Sequence, residues 1–510
     1  MSSVDIDYSK DPTWFDFSTT ANVDVSTERL DFIKYPPFES MNTFANISNQ
    51  LTFTVKAGSD YIDVSQGYFQ IQVSISKFDA EDIITFANPI SHVIFRGAAY
   101  YNNDVQIEKV VDFMNVRGLV HGLMNYKKSF TASSGINRGW ALDTPSVTAA
   151  LNKYFPDSHL IPVASIAAGN EDLLGNDLPI NQWNALAAAG VAFAGAADNA
   201  ARGAARSDWN DAVNLAYTVR DRANALTQDL ATFNQGFIDR YNSRTSDAFV
   251  DIYNINVPVS DYFASCGDIK TVYRKHIHKF EFTMEKNINN LIHISDGTAR
   301  TFSNIRLIKM DLWIPRVIPS ALKKVMLDSL YDKTFVKDVL FYPYTIHERI
   351  FASTSINWDV GDIMERPMHL YVFAMNVKSA QTGDSPTVFY HNNITSIRVT
   401  IGMNDFPKLP LVSNFAAGVE DYSEAYQHYL RCARQYADNE VALTYKEFKN
   451  NYPIFCFDFS TVDQSIFLTG KRFVLNIEND GTSRRFFAVL LNERKAKLNV
   501  SDGGIRLIRA

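Results

Sequence analysis

The chain has 510 residues, 46% of them hydrophobic, and a formal net charge of −7. That length predicts two to four domains, each able to bury a core. The acid excess argues against a dedicated DNA-binding surface, which needs clustered Lys and Arg.

The first residues, "MSSVDIDYSKDPTW", are polar and acidic and carry no secretory signal. Residues 1–40 read as an arm with little structure of its own. "LTFTVKA" then alternates at Leu51, Phe53 and Val55, and "YFQIQVSIS" at Phe69, Ile71, Val73 and Ile75. Period two predicts half-buried strands. Gly58, Ser59 and Asp60 supply the turn between them, so an antiparallel pair is expected. "SHVIFRGAAYYNNDVQI" predicts a hairpin turning at Asn102, Asn103 and Asp104. In "VVDFMNVRGLVHGLMNY" the period lengthens, and Phe113, Val116, Leu119, Val120 and Leu123 predict a short helix.

Residues from about 130 to 206 are rich in Gly, Ser, Asn and Ala. The run "ALAAAGVAFAGAA" falls short of a membrane span, and no other apolar run approaches one. From Trp209 through Val213, Ala216, Val219, Ala223, Leu226, Leu230 and Phe233 to Phe237, apolar residues step by three and four, which predicts a long amphipathic helix. "DIYNINVPVSDYF", "KHIHKFEFTM" and "SNIRLIKMDLWIPRVIP" return to strands, and "SALKKVMLDSLYDK" reads as a connector with a domain boundary near 320. Beyond it, "HLYVFAMN", "ITSIRVTIG", "PIFCFDFS", "KRFVLNIEN" and "RRFFAVLLN" read as strands, and "DYSEAYQHYLRCARQYAD" as a helix between them. Many short strands with a helical excursion in each half suggest two β-sandwich units in tandem. The high aromatic content, 36 Phe and 24 Tyr, fits β structure.

Catalytic equipment is sparse. There is no Walker loop, GxGxxG, GxSxG or HExxH. His276 and His278 share one face of a strand, as the histidine pair of a cupin-type metal site would. Glu281 follows too soon and Glu285 too late to complete such a set, and Gly267 lies too far upstream. They read as polar residues on an exposed face, since a metal site needs more than two ligands. Asp458 in "FCFDFS" has no visible partner for acid–base work. Cys456 beside it reads as a small buried residue. With Cys266 and Cys432 it makes three widely spaced thiols, which fit a reducing compartment better than a disulfide framework. No catalytic, cofactor-binding or metal-ligating residue is therefore assigned.

Several stretches carry a resemblance. "LTFTVKAGSDYIDVSQGYFQIQVSIS" resembles the opening of double jelly-roll major capsid proteins of the Polinton/Maverick, adintovirus and virophage group. "ANPISHVIFRGAAYYNNDVQI", "VDFMNVRGLVHGLMNYKKSF", "FNQGFIDRYNSR", "VPVSDYFASCGDIKTVYRKHIHKFEF", "SIRVTIGMNDFPKLPL" and "PIFCFDFS" follow in the family's order. The resemblance covers about residues 45–130 and 230–500; the Ala-rich stretch and long helix between about 180 and 236 have no counterpart in it. It implies a mainly β fold of two tandem eight-stranded jelly rolls with helical insertions. The division would be an N-terminal arm (1–40), a first roll (41–320, with an insertion at about 130–240) and a second roll (321–510). It implies a structural shell protein, not an enzyme, with no cofactor. Its partners would be itself, as a homotrimer meeting neighbouring capsomers, together with penton and minor capsid proteins. Specific nucleic-acid binding and a membrane span are not expected. The location would be the virion, made and assembled inside the host cell without secretion. A carbohydrate-binding or carbohydrate-active β-sandwich protein is the alternative; it would use the aromatics as an exposed platform.

Overall fold

The computed structural model describes residues 27–39, 50–77, 84–143, 235–247, 250–294, 304–331, 336–362, 365–376, 386–416, 419–434, 440–469, 472–499 and 505–508. Their strands, in chain order, are β1 (Thr27–Tyr35), β2 (Gln50–Lys56), β3 (Tyr61–Ile62), β4 (Tyr68–Ser76), β5 (Ile84–Phe86), β6 (Phe95–Asn102), β7 (Val105–Val110), β8 (Thr245–Asp247), β9 (Val250–Pro258), β10 (Ile277–Met284), β11 (Ile292–Ile294) and β12 (Asn304–Pro319). The second half adds β13 (Val336–Phe341), β14 (Tyr344–Phe351), β15 (Ser355–Asp362), β16 (Arg366–Met375), β17 (Phe389–Tyr390), β18 (Ser396–Ile401), β19 (Asn404–Val412), β20 (Phe455–Asp458), β21 (Arg472–Glu478), β22 (Arg484–Asn499) and β23 (Ile505–Ile508). Four helices enter the argument: α1 (Met114–Asn125), α2 (Gln235–Asn242), α3 (Ala321–Tyr331) and α4 (Ser423–Arg434).

The pairing makes two jelly rolls wired alike. In the first, β1-β12-β4-β9 faces β2-β10-β6-β7. In the second, β14-β22-β16-β20 faces β15-β21-β18-β19. Each roll turns its middle hairpin on two residues. Asn103 and Asp104, both at positive φ (47 and 65), join β6 to β7, and Gly402 (φ 63) with Met403 joins β18 to β19. Left-handed residues at such a turn match the twist of the flanking strands. The helical excursions also match, since α1 follows β7 and α4 follows β19.

Three expectations change. β2 and β4 do not pair: β2 bonds to β10 and β4 to β12 and β9, in opposite sheets. Gly58 (φ 59) carries the chain from one sheet to the other. The two strands meet face to face instead, with the Phe53 and Phe69 rings edge-on at 5.4 Å. The segment read as an unstructured arm contains β1, bonded to β12 from Thr27↔Pro319 to Tyr35↔Leu312. Its side chains are largely exposed, Leu30 at 44% and Phe32 at 47%, and its apolar residues fall on both faces, so no apolar alternation betrays it. The predicted long helix, Trp209 to Phe237, lies outside the described residues except for its end. There α2 is helical from Gln235, and Phe237 is buried against His293, ring centroids 4.8 Å apart.

The ends of the 144–234 stretch come together. A Cβ on Gly236 would stand 2.1 Å from the Leu142 carbonyl oxygen, so only glycine fits this approach. Beside it, Arg240 Nη2 donates to Asp143 Oδ1 at 2.6 Å, and its Nε to the Phe86 carbonyl at 2.9 Å; Arg240 and Asp143 are both fully buried. A buried guanidinium must be neutralised and bonded throughout, so this pair ties both ends of the insertion to the first roll.

Two hydrophobic cores result, and each borrows from the other half of the chain. The first is a nest of edge-on aromatics around Phe69, Tyr262, Phe280 and Phe282. It also takes in Val339 and Phe341 of β13, Ala496 and Leu498 of β22, and Ile505 of β23. The second core receives Val116, Leu119, Val120, Leu123 and Met124 of α1, then Trp140 and Leu142. No helix of the described residues is long and apolar enough to cross a membrane.

Candidate functional site

Neither His276 nor His278 is on an exposed face. His278 lies on the same side of β10 as Phe280, Phe282 and Met284, and both histidines are buried, at 1% and 0% exposure. The alternation that put the two imidazoles together also put them in phase with the core. His276 Nδ1 donates to Asn102 Oδ1 at 2.9 Å. The Tyr100 hydroxyl lies 2.8 Å from His278 Nδ1, and the Tyr273 ring stands edge-on to both imidazoles. Burial pulls His276 down to about 4 and His278 to about 3, because the charged form loses its hydration. Both are neutral at pH 7. No carboxylate joins them: Glu281 pairs with Lys279 at 2.5 Å, and Glu285 Oε1 accepts from the backbone N–H groups of Lys286 and Asn287. Among the described residues no three His, Cys, Asp or Glu side chains stand in ligating array.

Asp458 is not alone. It ends β20, accepts from the Ser460 backbone N–H at 2.9 Å, and stands 3.5 Å from Nδ1 of His369 on β16. Cys432 of α4 approaches the same Nδ1 at 3.9 Å. Cys456 donates to the Ile454 carbonyl at 3.7 Å and also hydrogen-bonds Cys432. That bond, with the nearby imidazole, lowers the Cys432 thiol, while burial raises Cys456. The residue types are those of a nucleophile, a base and an acid, but the geometry is different. A relay uses both ring nitrogens, one toward the nucleophile and one toward the acid; here thiol and carboxylate approach one nitrogen. His369 and Cys432 are 0% and 1% exposed, so no substrate reaches them. The group fastens α4 to the β16–β20 pair. His369 and Cys432 are 63 residues apart in sequence, and no local pattern links them.

The richest polar constellation lies between the rolls. Phe113, in the left-handed region (φ 65), turns the chain out of β7 into α1 and sets its ring edge-on to Phe487 of β22. Arg117 on α1 is fully buried. It donates to the Asp261 carbonyl, reaches Glu108 at 3.5 Å, and lies over the Tyr344 ring of the second roll. Asp268 Oδ2 accepts from the Tyr342 backbone N–H at 3.1 Å, and Arg494 donates to the Ile107 carbonyl at 2.5 Å. The Tyr429 hydroxyl of α4 donates to the Leu123 carbonyl of α1 at 3.2 Å. At the rim, Lys128 pairs with Glu447 at 3.1 Å and Ser129 with Glu440. These contacts join the two rolls.

Comparison with known proteins places these features. The double jelly roll-like domain matches residues 208–482. No curated protein matches the chain by sequence. Among solved structures, a chain of the Sputnik virophage superposes with a TM-score of 0.55 at 9% identity, covering 97% of this chain and 91% of that one. The mavirus major capsid protein superposes with a TM-score of 0.51 at 11% identity, covering 100% and 96%. At such identities the likeness is one of fold, and it extends over both rolls.

Proposed function

The chain belongs to the double jelly roll-like domain family, and from that premise we propose that it is a major capsid protein, a shell subunit that works by packing and is not an enzyme. Two rolls of the same wiring in one chain carry the reading. Three copies place six similar rolls in a ring, which gives a pseudo-hexameric capsomer able to tile flat facets of an icosahedral shell. Neighbouring copies in a closed ring of three meet heterologously, first roll against second. Obligate contacts of this kind bury on the order of 2,000–5,000 Å². The buried histidines and thiols fit the same reading, since they fasten strands and helices and none opens to solvent. The partners are then other copies of the chain, with vertex and minor shell proteins beside them, and the location is the virion.

Sedimentation of the purified chain tests this. The expected species is a trimer of three times 57.6 kDa, seen in negative stain as hexagonal capsomers or closed shells. A monomer that persists at every concentration overturns it.

A further inference from the structure

Helix α3, between the rolls, is exposed almost all round. Ala321 to Met326 are all exposed, with Leu322 at 77%, Val325 at 69% and Met326 at 55%. Of the helix, Leu327 packs against the first core, and Asp328 accepts from Tyr61 at 2.6 Å and Arg274 at 2.7 Å. An 11-residue helix is marginal without tertiary packing of its apolar face. Leu322, Val325 and Met326 are spaced as such a face, at i, i+3 and i+4. Lys323 borders it and Lys324 lies on the opposite side of the helix; neither makes an ion pair among the described residues.

We propose that residues 1–26 of the same chain cover this face. Three observations point to that occupant. First, the segment emerges beside the helix: Thr27, where β1 begins, pairs with Pro319, two residues before α3, and the antiparallel register sends the preceding chain past Pro319 toward it. Second, its charge is complementary. Residues 1–26 hold Asp5, Asp7, Asp11, Asp16 and Asp24 against the single Lys10. Third, it carries large apolar side chains at Trp14, Phe15 and Phe17. The 13 steps from Trp14 to Thr27 can span about 43 Å when extended, and α3 is only about 16 Å long. Tethering makes the encounter intramolecular, so a weak contact suffices. The inference does not depend on the shell reading.

The test places a photo-cross-linker on the full-length protein, as Val325→p-benzoyl-L-phenylalanine. The expected adduct has the mass of one chain and maps within residues 1–26. In the variant Trp14→Ala/Phe15→Ala/Phe17→Ala its yield falls at least tenfold, and the amides of α3 exchange at least tenfold faster in the same variant without the cross-linker. An unchanged melting curve shows that the rolls stay folded. An adduct of two chains gives the face to a neighbouring copy and overturns the proposal. So do an adduct mapping elsewhere, no adduct at all, or unchanged exchange of α3 in the triple variant.

Discussion

The two rolls share their wiring and differ in what fills them. In the first, the strand edge next to the middle hairpin is polar inside: Asn102 pairs with His278, and both are buried. In the second, the equivalent pair across the same sheet position is Ile401 and Phe473, also buried. The helix after the hairpin differs too. α4 packs mainly on β20 of its own roll, whereas α1 keeps its contact with β6 of the first roll and also supplies one side of the second core. In return, β13, the far end of β22, and β23 close the first core. Wiring therefore sets which strands meet, and it leaves open whether a core is completed from within. Here neither is, and the rolls stand or fall together.

The exchange predicts the largest effect. Leu119→Asp and Leu123→Asp change residues that precede the second roll by more than two hundred positions, yet both side chains are fully buried in its core. An unpaired carboxylate there costs several kcal/mol, a large part of a typical domain's stability. Either variant is expected to lose its cooperative thermal transition altogether. Loss of only the first roll's signal, followed by limited proteolysis and mass spectrometry of the surviving fragment, would show that the second core closes without α1.

The polar edge predicts a difference in acid sensitivity. His276 and His278 have folded-state values near 4 and 3, below the usual 6.5 of an unfolded histidine. The unfolded chain then binds the extra protons first, so the stabilisation is full above pH 6.5 and is lost as pH falls toward 3. Between pH 6.5 and 5 each histidine accounts for about 2 kcal/mol of loss. His278→Phe installs the residue found at the equivalent position of the second roll. Stability at pH 7 is expected to fall by about 1–3 kcal/mol, because the buried Tyr100 hydroxyl loses His278 Nδ1 as a partner, whereas Nε2 has no hydrogen-bond partner to lose. Chemical denaturation at pH 7 and pH 5 should show the acid loss smaller by about 2 kcal/mol in the variant. An identical loss in both proteins would mean that His278 does not set the sensitivity.

The same comparison explains what could be read from the sequence. Strands with one buried and one wet face, such as β4, β10 and β21, declare themselves by alternation. Ile356, Trp358 and Val360 of β15 carry that signal as well. β1 and β14 do not carry it: exposure alternates along β1 from Leu30 to Tyr35, but its apolar residues Leu30, Phe32, Ile33 and Tyr35 fall on both faces, and the burial of β14 is too uneven to leave a period. Alternation also cannot tell which sheet a strand joins: β2 and β4 are neighbours in sequence with a turn between them, yet they face each other from opposite sheets. Nor does it say which face of a strand is the buried one. The polarity of the β10 histidines points outward, but His278 is in phase with Phe280 and Phe282, whose side chains fix the inward face. The Cys432–His369–Asp458 group and the Arg117 seam were out of reach because their members come from elements far apart in sequence.

The smallest effect tests the seam itself. Asp268 belongs to the first half, and its Oδ2 accepts from the Tyr342 backbone N–H at the start of the second. Burial raises this carboxyl to about 6; the Tyr342 bond and Lys270 oppose the shift, while Glu108 adds to it. For an acid with a raised folded value the sign is the reverse of the histidines'. Between pH 4 and 6 the folded chain holds a proton that the unfolded chain has released, so stability falls as pH rises through that window. At pH 7 the seam carries a carboxylate that is exposed at the surface, yet close enough to the packed joint to be desolvated by more than its one backbone bond returns. Asp268→Asn keeps an acceptor oxygen for Tyr342 and removes the charge. Because Asp268 is exposed, solvent screening limits the expected gain to about 1 kcal/mol or less at pH 7, shrinking to nothing by pH 4. Denaturant midpoints at the two pH values measure it. A variant destabilised at pH 7 would show that the ionised carboxylate is what holds the two rolls together at this point.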